Sequence, residues 1–266
     1  MGFKQIGFIG CGNMGSALAR ACARRTKEIL LADHHAERVA ELAEELEVGL
    51  SDNATIAGNC DLIFLGMKPQ AMAAALKELT PVLARRRDRF VVLTMAAGVT
   101  ITAVRSMLGL DCPVIRIMPN TPVSIGQGMI LWSSLGLSEE EKLSFLELMG
   151  EAGALDELNE SLIDGGSAVA GCGPAFVYAF IEALADGGVA CGLPRDKAQR
   201  YGAQMLVGAA KLVLESGQHP GVLKDAVCSP GGSTIQGIRA LEEGGFRGVV
   251  MDAVIAAFEK TVELGK

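Results

Sequence analysis

Short apolar runs alternate with helical patterns from residue 4 to about residue 158 of this 266-residue chain. Residues 4–9, 29–33, 61–65 and 90–94 form the clearest runs, and the last two are almost continuously apolar. Such runs are typical of parallel strands that are buried on both faces. Residues 36–46 instead place their apolar side chains on one helical face. This alternation predicts an α/β fold with a doubly wound parallel sheet.

Further segments extend the alternation. Residues 13–25 predict a helix directly after the first strand, and residues 114–118 and 128–132 predict two more strands. Ser138 begins another helix, because it opens the Ser-x-x-Glu pattern of a capping box. The first part of the chain therefore predicts one α/β domain, which we place at residues 1–160.

The strand signals stop near residue 160, and helical patterns fill the rest of the sequence. The predicted helices cover residues 174–191, 194–216, 221–227, 233–243 and 246–264. Several are apolar on more than one face, so something else must cover them. About 100 residues offer too little interior for that. Residues 161–266 therefore predict an all-α domain through which two copies dimerise.

Composition excludes several classes of protein. Half of the residues are apolar, which excludes an intrinsically disordered chain. The net charge of -7 argues against a nucleic-acid partner. No stretch approaches the 18 or so consecutive apolar residues of a membrane span. Seven scattered cysteines without a CxxC pair predict reduced thiols and no metal site, and hence a cytoplasmic protein.

Gly10, Gly12 and Gly15 form a G-x-G-x-x-G pattern that follows a predicted strand and opens a predicted helix. That context predicts a dinucleotide-binding turn. Gly10 permits the tight turn, Gly12 lets the backbone approach a pyrophosphate, and Gly15 allows close helix packing. Asn13 and Met14 complete the turn, whose helix N-terminus offers free N–H groups to an anion. The alternative is a glycine-rich turn that binds nothing.

Asp33 ends the second predicted strand and is a candidate for the adenosine ribose. An acid at that place usually accepts a hydrogen bond from the 2′-hydroxyl group and favours NADH over NADPH. His34, His35 and Arg38 follow closely and are able to pair with a 2′-phosphate instead. Asp33 also suits the N-cap of the next helix. The residues leave the choice between NADH and NADPH open.

Five further motifs follow the glycine turn. They are Gly-Met-Lys-Pro-Gln at 66–70, Ala-Ala-Gly-Val at 96–99, Arg-Ile-Met-Pro-Asn-Thr-Pro at 116–122, Gly-Cys-Gly-Pro-Ala at 171–175 and Val-Cys-Ser-Pro-Gly-Gly-Ser-Thr-Ile at 227–235. Together the motifs resemble those of the Δ1-pyrroline-5-carboxylate reductases, over the whole chain. In one motif, Ala170 and Cys172 replace two serines that this family usually has.

The resemblance implies a fold and an activity. It implies an N-terminal Rossmann-type domain and a helical domain that dimerises by interleaving helices, with larger rings of dimers, such as decamers, common. The implied reaction is hydride transfer from NADPH or NADH to the C=N bond of 1-pyrroline-5-carboxylate. The product is L-proline, and the reaction is the last step of proline biosynthesis. The family slightly favours NADPH.

The Ser-Pro-Gly-Gly-Ser-Thr loop is the predicted substrate site. Because it enters a predicted helix, its N–H groups and the helix dipole suit the substrate carboxylate. The candidate substrate-binding residues are Ser229, Gly231, Gly232, Ser233 and Thr234. Thr234 is the candidate catalytic residue, with its hydroxyl group bonded to the imine nitrogen. The alternative is that Ser233 and Thr234 only cap the helix.

The remaining candidates line the cofactor. They are Met67, Lys68 and Pro69 beside the nicotinamide ribose, Ala96, Ala97 and Gly98 beside the nicotinamide ring, Asn53 at the adenosine end and Asn120 in a turn near the nicotinamide. The small side chains at 96–98 leave room for the ring. For Lys68 and Asn120, a solvated or purely structural role is the alternative.

No histidine, cysteine or carboxylate stands in a motif as a proton donor. A site poor in ionisable groups fits imine reduction, because a protonated imine needs only a hydride and a polarising partner, whereas alcohol oxidation needs a general base. One alternative is a β-hydroxyacid dehydrogenase-like enzyme, in which Lys197, Lys211 or Lys224 would supply a catalytic lysine. The other is a catalytically inactive, dinucleotide-sensing regulatory protein.

Overall fold

One eight-stranded sheet organises the first part of the chain in the computed structural model, which describes residues 2–265. The strands are β1 (Ile6–Ile9), β2 (Ile29–Ala32), β3 (Gly49–Leu50), β4 (Leu62–Leu65), β5 (Val91–Thr94), β6 (Val114–Met118), β7 (Gly128–Leu135) and β8 (Gly153–Glu157). Their order across the sheet is β3-β2-β1-β4-β5-β6-β7-β8. All residues of β1, β4 and β5 are buried, which the almost continuous apolar runs predicted for β4 and β5.

Strands β1 to β6 are parallel, which confirms the predicted doubly wound arrangement for most of the sheet. Strand β7 runs antiparallel to β6, with Ile117 opposite Trp132, and β8 is parallel to β7. The reversal follows from the short connection after Met118, which holds only a 3₁₀ turn over Thr121–Ile125. A parallel crossover needs a dozen or more residues.

Seven helices accompany this sheet. They are α1 (Asn13–Ala23), α2 (Ala36–Leu46), α3 (Asn53–Asn59), α4 (Pro69–Leu83), α5 (Ile101–Leu108), α6 (Glu139–Met149) and α7 (Glu160–Gly166). The predicted capping box of α6 is present, because Ser138 and Glu141 exchange both hydrogen bonds. One face of the sheet packs Phe8, Phe64 and Trp132 against its helices, and the other face packs Ile63 and Val92.

Five helices follow, at nearly the predicted positions. They are α8 (Gly173–Ala190), α9 (Arg195–Ser216), α10 (Pro220–Val227), α11 (Ser233–Glu243) and α12 (Phe246–Leu264). The chain divides into two compact units, residues 2–172 with 257–265 and residues Gly173–Ala256. The predicted boundary at residue 160 marks the start of α7, whereas the units divide after Cys172.

The helical unit buries little of its own apolar surface. In α8 and α9, the buried residues are Ala185, Ala198 and Gly202. Large apolar side chains are exposed throughout the unit, among them Leu214 at 82%. The small buried set is consistent with the prediction that a second copy covers these helices.

A continuous helical stretch over Glu160–Ala190 is long and apolar enough to cross a membrane. Glycines and single polar residues interrupt the stretch, so it is not a run of consecutive apolar residues, but its most apolar 18-residue window has a mean hydropathy of 1.6. In its most apolar window, 11% of the residues are buried. A π-helical turn over Ser167–Gly171 lies inside the stretch.

Candidate active site

The predicted cofactor residues follow the carboxyl ends of six neighbouring strands. They are residues 10–15 after β1, Asp33 after β2, Asn53 after β3, residues 67–69 after β4, residues 96–98 after β5 and Asn120 after β6. Because β1 to β6 are parallel, all of them lie at one edge of the sheet. Doubly wound sheets bind ligands there, at the point where the strand order reverses. The reversal falls between β1 and β4.

The glycine turn is held by three close contacts. The Gly10 N–H donates to the Ala32 carbonyl at 2.8 Å, and the buried Ser16 hydroxyl donates to the Cys11 carbonyl at 2.6 Å. A Cβ on Gly15 would lie 2.2 Å from the Gly10 carbonyl oxygen. The third glycine therefore packs directly on the turn, as predicted.

The turns after β1 and β4 meet backbone to backbone. Gly10 has a φ of +98°, and a Cβ there would lie 2.8 Å from the carbonyl carbon of Gly66. A Cβ on Gly66 would lie 2.1 Å from the Gly10 carbonyl oxygen. Neither residue has space for a side chain, so the reversal point of the sheet is built from backbone alone.

The N-terminus of α1 is open to an anion. Its N-cap is Gly12, which makes no side-chain cap, and its first turn holds no acidic residue. A Cβ on Gly12 would meet nothing within 4 Å. The first N–H groups of a helix have no intrahelical acceptors and carry the positive end of the helix dipole. These features fit the pyrophosphate of a nicotinamide dinucleotide.

The Asp33 carboxylate faces the protein backbone. One oxygen accepts from the Cys11 N–H at 2.6 Å; the other accepts from the His35 N–H at 2.9 Å and lies 3.1 Å from His34 Nδ1. The side chain is 6% exposed. Burial acts to raise the pKa of Asp33, but these two N–H donors outweigh burial and lower it. The N-cap of α2 is His35, so Asp33 is not the helix cap.

A cavity of about 510 Å³ lies beside the start of α2 and is lined by residues 34–38. The side chains of His34, His35 and Arg38 are exposed there. Arg38 Nη2 donates to the side-chain oxygen of Asn13 at 2.9 Å, which holds the guanidinium group beside the glycine turn. Three basic side chains thus line the cavity beside the end of β2.

Lys68 and Asn53 are exposed at the starts of helices. Lys68 is the N-cap of α4 and Pro69 is its first residue. Met67 packs on the core beneath. Asn53 is the first residue of α3, whose N-cap, Asp52, accepts from the Thr55 N–H at 2.8 Å.

The loop after β5 is anchored where it leaves the strand. The Ala96 N–H donates to the buried Thr94 hydroxyl group at 3.3 Å, and Ala97 packs into a small apolar cluster with Met118. Gly98 has a φ of +72°. A Cβ on Gly98 would lie 2.7 Å from the Cα of Gly265. The chain's own backbone therefore occupies the space beside Gly98, which we predicted to be left for the nicotinamide.

Asn120 is buried and fully engaged within the protein. Its side-chain NH₂ donates to the Ala170 carbonyl at 3.0 Å, and its side-chain oxygen accepts from the Met129 N–H at 2.9 Å. Asn120 thereby connects β6, β7 and the π-helical turn. The predicted tie is present, and these contacts support the structural alternative.

Sequence reasoning missed a buried arginine in β6. Arg116 is 1% exposed and forms ion pairs with Asp164 and, at 3.5 Å, with Glu160. Its Nε has no hydrogen-bond partner in the described chain. The same Glu160 oxygen accepts from the Ile101 N–H at 2.6 Å, at the start of α5. The signal was available, because a charge inside an apolar strand requires a buried partner.

The Ser-Pro-Gly-Gly-Ser-Thr loop lies in the helical unit. Gly232 is the N-cap of α11 and makes no side-chain cap, and the first turn holds no acidic residue. Neither Ser233 nor Thr234 caps the helix, so that alternative is wrong. Gly231 has a φ of +71°, and a Cβ there would meet nothing within 4 Å. The Gly232 N–H donates to the Ser229 carbonyl at 3.0 Å, which closes the turn.

Other reactive groups form no cluster. Within residues 2–265, no group of three or more potential metal ligands converges. The seven cysteines are free thiols. Lys224, one lysine of the alternative enzyme class, is paired with Asp225 at 2.6 Å, and this hydrogen bond raises the pKa of Lys224.

Both parts of the chain match known families. Residues 160–264 match the family described as pyrroline-5-carboxylate reductase dimerisation. Residues 5–98 match the family described as NADP oxidoreductase, coenzyme F420-dependent. The two matches cover the helical region and most of the parallel strands.

Individual relatives are similar over the whole length. The chain is 39% identical to the pyrroline-5-carboxylate reductase of Escherichia coli (strain K12), over 99% of each chain. It is 40% identical to that of Glycine max, over 97% of this chain and 95% of the relative. A solved structure of Plasmodium falciparum pyrroline carboxylate reductase with NADP bound matches at a TM-score of 0.86, with 31% identity over 98% of each chain.

Proposed function

The chain belongs to the pyrroline-5-carboxylate reductase family, and from that premise we propose how its residues bind and reduce the substrate. It is an NAD(P)H-dependent oxidoreductase that reduces the C=N bond of 1-pyrroline-5-carboxylate to give L-proline, the last step of proline biosynthesis. This activity excludes the catalytically inactive sensor, and the full-length likeness disfavours the β-hydroxyacid dehydrogenase-like enzyme.

One observation supports the binding sites that we propose for the cofactor and the substrate, which are both anions. The helices α1 and α11 both begin after a glycine N-cap, with no side-chain cap and no acidic residue in the first turn. Each N-terminus therefore offers unpaired N–H groups and a positive dipole end. We assign the end of α1 to the cofactor pyrophosphate and the end of α11 to the substrate carboxylate.

The loop before α11 gives the carboxylate a backbone cradle. Gly231 adopts a left-handed conformation with open space beside its Cα, so backbone N–H groups approach the ligand without an intervening Cβ. Ser229 closes the turn with its carbonyl group. Together with Gly232 and Ser233, these residues orient the five-membered ring by its carboxylate.

Thr234 is the proposed catalytic residue. It occupies the second position of α11, is exposed, and makes no side-chain hydrogen bond that would divert it to a cap. Its hydroxyl group would bond the imine nitrogen and polarise the C=N bond. The bound dihydronicotinamide supplies the hydride. No further ionisable group is required when the imine nitrogen is already protonated.

The cofactor is a nicotinamide dinucleotide, and we propose that this chain prefers NADPH. The Asp33 carboxylate is directed at the Cys11 and His35 N–H groups, and it is nearly inaccessible. Arg38 and the two histidines line the neighbouring cavity. They are suited to a 2′-phosphate, because arginine binds phosphate through several charge-assisted hydrogen bonds.

The other cofactor contacts follow from the sheet edge. Gly10, Gly12, Asn13, Met14 and Gly15 would cradle the pyrophosphate, residues 67–69 and 96–98 would flank the nicotinamide ribose and ring, and Asn53 would lie near the adenosine. Asn120 would act on the nicotinamide side by holding the turn after β6.

We further propose a homodimer formed through the helical unit, with rings of dimers as the larger assembly. Its support is the dimerisation-family match, the exposed apolar helices and a groove of about 820 Å³ between α8 and α9. A second copy would also cover the apolar stretch Glu160–Ala190. Sedimentation velocity over a range of concentrations tests this, and a stable monomer would contradict it.

The free thiols support a cytoplasmic location.

The assay follows oxidation of NADPH and NADH separately with 1-pyrroline-5-carboxylate. We expect turnover with both cofactors and a higher kcat/KM with NADPH. A preference for NADH would contradict the role assigned to Arg38. Absence of turnover with both would contradict the assigned activity.

A further inference from the structure

The middle of the loop after β5 is in contact with the last part of α12. The two segments face each other through glycines, since a Cβ on Gly98 would lie 2.7 Å from both the N and the Cα of Gly265. In the other direction, a Cβ on Gly265 would lie 2.5 Å from the Gly98 carbonyl oxygen. Both residues belong to the same compact unit. Neither position has room for a side chain unless the backbone moves.

The end of α12 packs against the loop at this contact. Thr261 is 7% exposed and is the buried residue of α12, whose other side chains are partly or fully exposed. Its hydroxyl group donates to the Ala257 carbonyl at 2.9 Å, so it is satisfied within the helix. Its own carbonyl oxygen would lie 3.1 Å from a Cβ on Gly98. The helix end thus presents backbone to the loop at two points, Thr261 and Gly265.

At the middle of the loop, the side chains of Ala97 and Val99 pack into apolar clusters, whereas Gly98 between them has no side chain to pack. At one end, the Ala96 N–H donates to Thr94. At the other end, the Ile101 N–H donates to Glu160. Within the loop, the Val99 N–H makes a single turn bond, at 3.3 Å, to the Ala96 carbonyl. The position of Gly98, with its left-handed φ of +72°, therefore depends on its packed neighbours in the loop and on the backbone that lies against it.

We propose that residues 261–265 are a positioning segment that holds the loop after β5 against the nicotinamide half of the cofactor. The proposal rests on the proposed function, which assigns residues 96–98 to the nicotinamide. The segment touches neither reactant in this scheme. It acts through Gly98, because displacement of the loop displaces the surface on which the ring lies. Small errors in the position of the reacting ring are costly for hydride transfer.

The first test is Gly265→Ala, which places a methyl group against the Gly98 carbonyl oxygen. We expect NADPH affinity and kcat each to fall about tenfold. Binding of 2′,5′-ADP, which carries only the adenosine half, should stay unchanged. Gly58→Ala is the matched control, because a Cβ on this α3 glycine makes an ordinary 3.6 Å contact with Val82. Calorimetry with NADPH and with 2′,5′-ADP measures the two affinities in each variant.

The second test removes the contact without a clash. Deletion of residues 265 and 266 leaves space beside Gly98, and hydrogen exchange then follows the amides of residues 96–101. We expect faster exchange of these amides in the deletion variant than in the full chain. The same measurement on the full chain with NADPH should show slower exchange, as the nicotinamide covers the loop.

The outcomes separate the two proposals. If NADPH leaves exchange in the loop of the full chain unchanged, residues 96–98 do not contact the nicotinamide, and both this assignment and the positioning segment fail. If NADPH slows exchange but the deletion and Gly265→Ala change neither exchange nor NADPH affinity, only the positioning segment is refuted. Equal losses of NADPH and 2′,5′-ADP affinity in Gly265→Ala also refute it.

Discussion

The backbone N–H of Cys11 donates to the Asp33 carboxylate at 2.6 Å, which ties the glycine turn to the end of β2. An acid at this position usually serves the ribose hydroxyl groups. Here its oxygens accept hydrogen bonds from the protein instead, one from Cys11 and the other from His35. Asp33 therefore braces the turn that receives the pyrophosphate.

We expect Asp33→Asn to weaken binding of 5′-AMP and 2′,5′-ADP by a similar factor of about three to ten. The Cys11 and His35 N–H groups each donate to one carboxylate oxygen, and asparagine has a single acceptor oxygen. One hydrogen bond is therefore lost, at a cost of about 1 kcal/mol. Calorimetry with the two nucleotides measures both affinities. Stronger 2′,5′-ADP binding together with weaker 5′-AMP binding would instead identify Asp33 as the ribose acceptor.

Asp33 should also make stability depend on pH. Its pKa is lower in the folded chain than in the unfolded chain, so the folded state gains stability from the ionised carboxylate. That gain is complete above the unfolded pKa of about 3.9 and is lost as the pH falls through the folded value. We expect the difference in Tm between the native chain and Asp33→Asn to narrow as the pH falls below 4. A difference that widens below pH 4 would contradict the assigned sign.

Arg38→Gln should reduce the preference for NADPH. Loss of a charge-assisted bond to the 2′-phosphate costs about 1.5 kcal/mol, or about tenfold in 2′,5′-ADP affinity. Binding of 5′-AMP should stay within about twofold. Arg20→Gln is a suitable control, because Arg20 is also exposed but pairs with Glu45 on the surface. Full 2′,5′-ADP affinity in Arg38→Gln would show that Arg38 does not bind the 2′-phosphate.

Thr234→Ala should lower kcat about five- to thirtyfold and leave NADPH affinity unchanged. The lost hydroxyl would bond the imine nitrogen, and one such bond is worth about 1–2 kcal/mol. Thr234→Ser retains the hydroxyl and should recover most of the rate. Steady-state kinetics and NADPH fluorescence titration provide the two readouts. A collapse of cofactor affinity would show that Thr234 acts on the cofactor side.

Arg116→Met should destabilise the unit that contains the sheet by about 3 kcal/mol. The substitution leaves Glu160 and Asp164 without their buried cation, and both are already partly shielded from water. Adding Glu160→Gln and Asp164→Asn should restore part of the loss, because no unpaired charge then remains. Thermal unfolding at a fixed protein concentration compares the variants. A triple variant less stable than Arg116→Met would count against this account.

Local sequence signals predicted the parts of the fold that depend on local physics. Gly10 and Gly15 identified the turn because a Cβ at either position would collide with backbone, and Ser138 identified its helix by its cap. The direction of β7 was not predicted, because apolar patterning is the same for parallel and antiparallel strands. It depends on the length of a connection whose 3₁₀ turn has no strong signature.

The site was predictable as a set of motifs but not as a set of contacts. Asp33 was assigned to the ribose from its position, yet the direction of its carboxylate depends on Cys11, which lies on another strand's turn. Gly98 was assigned to the nicotinamide, and nothing in its neighbourhood in the sequence indicates Gly265. Such contacts between distant segments appear only when the chain is folded.

The buried thiol of Cys11 offers a chemical probe of the glycine turn. Burial, with a smaller effect from the Asp33 charge, raises the pKa of the Cys11 thiol to about 12. At pH 8, only about one such thiol in ten thousand is ionised, and alkylating reagents attack the thiolate. Alkylation of Cys11 therefore requires opening of the turn, so the alkylation rate measures how often the turn opens. We expect a dinucleotide that stabilises the turn to slow this reaction, and the alkylation rate of Cys11 would then measure occupancy in the absence of turnover.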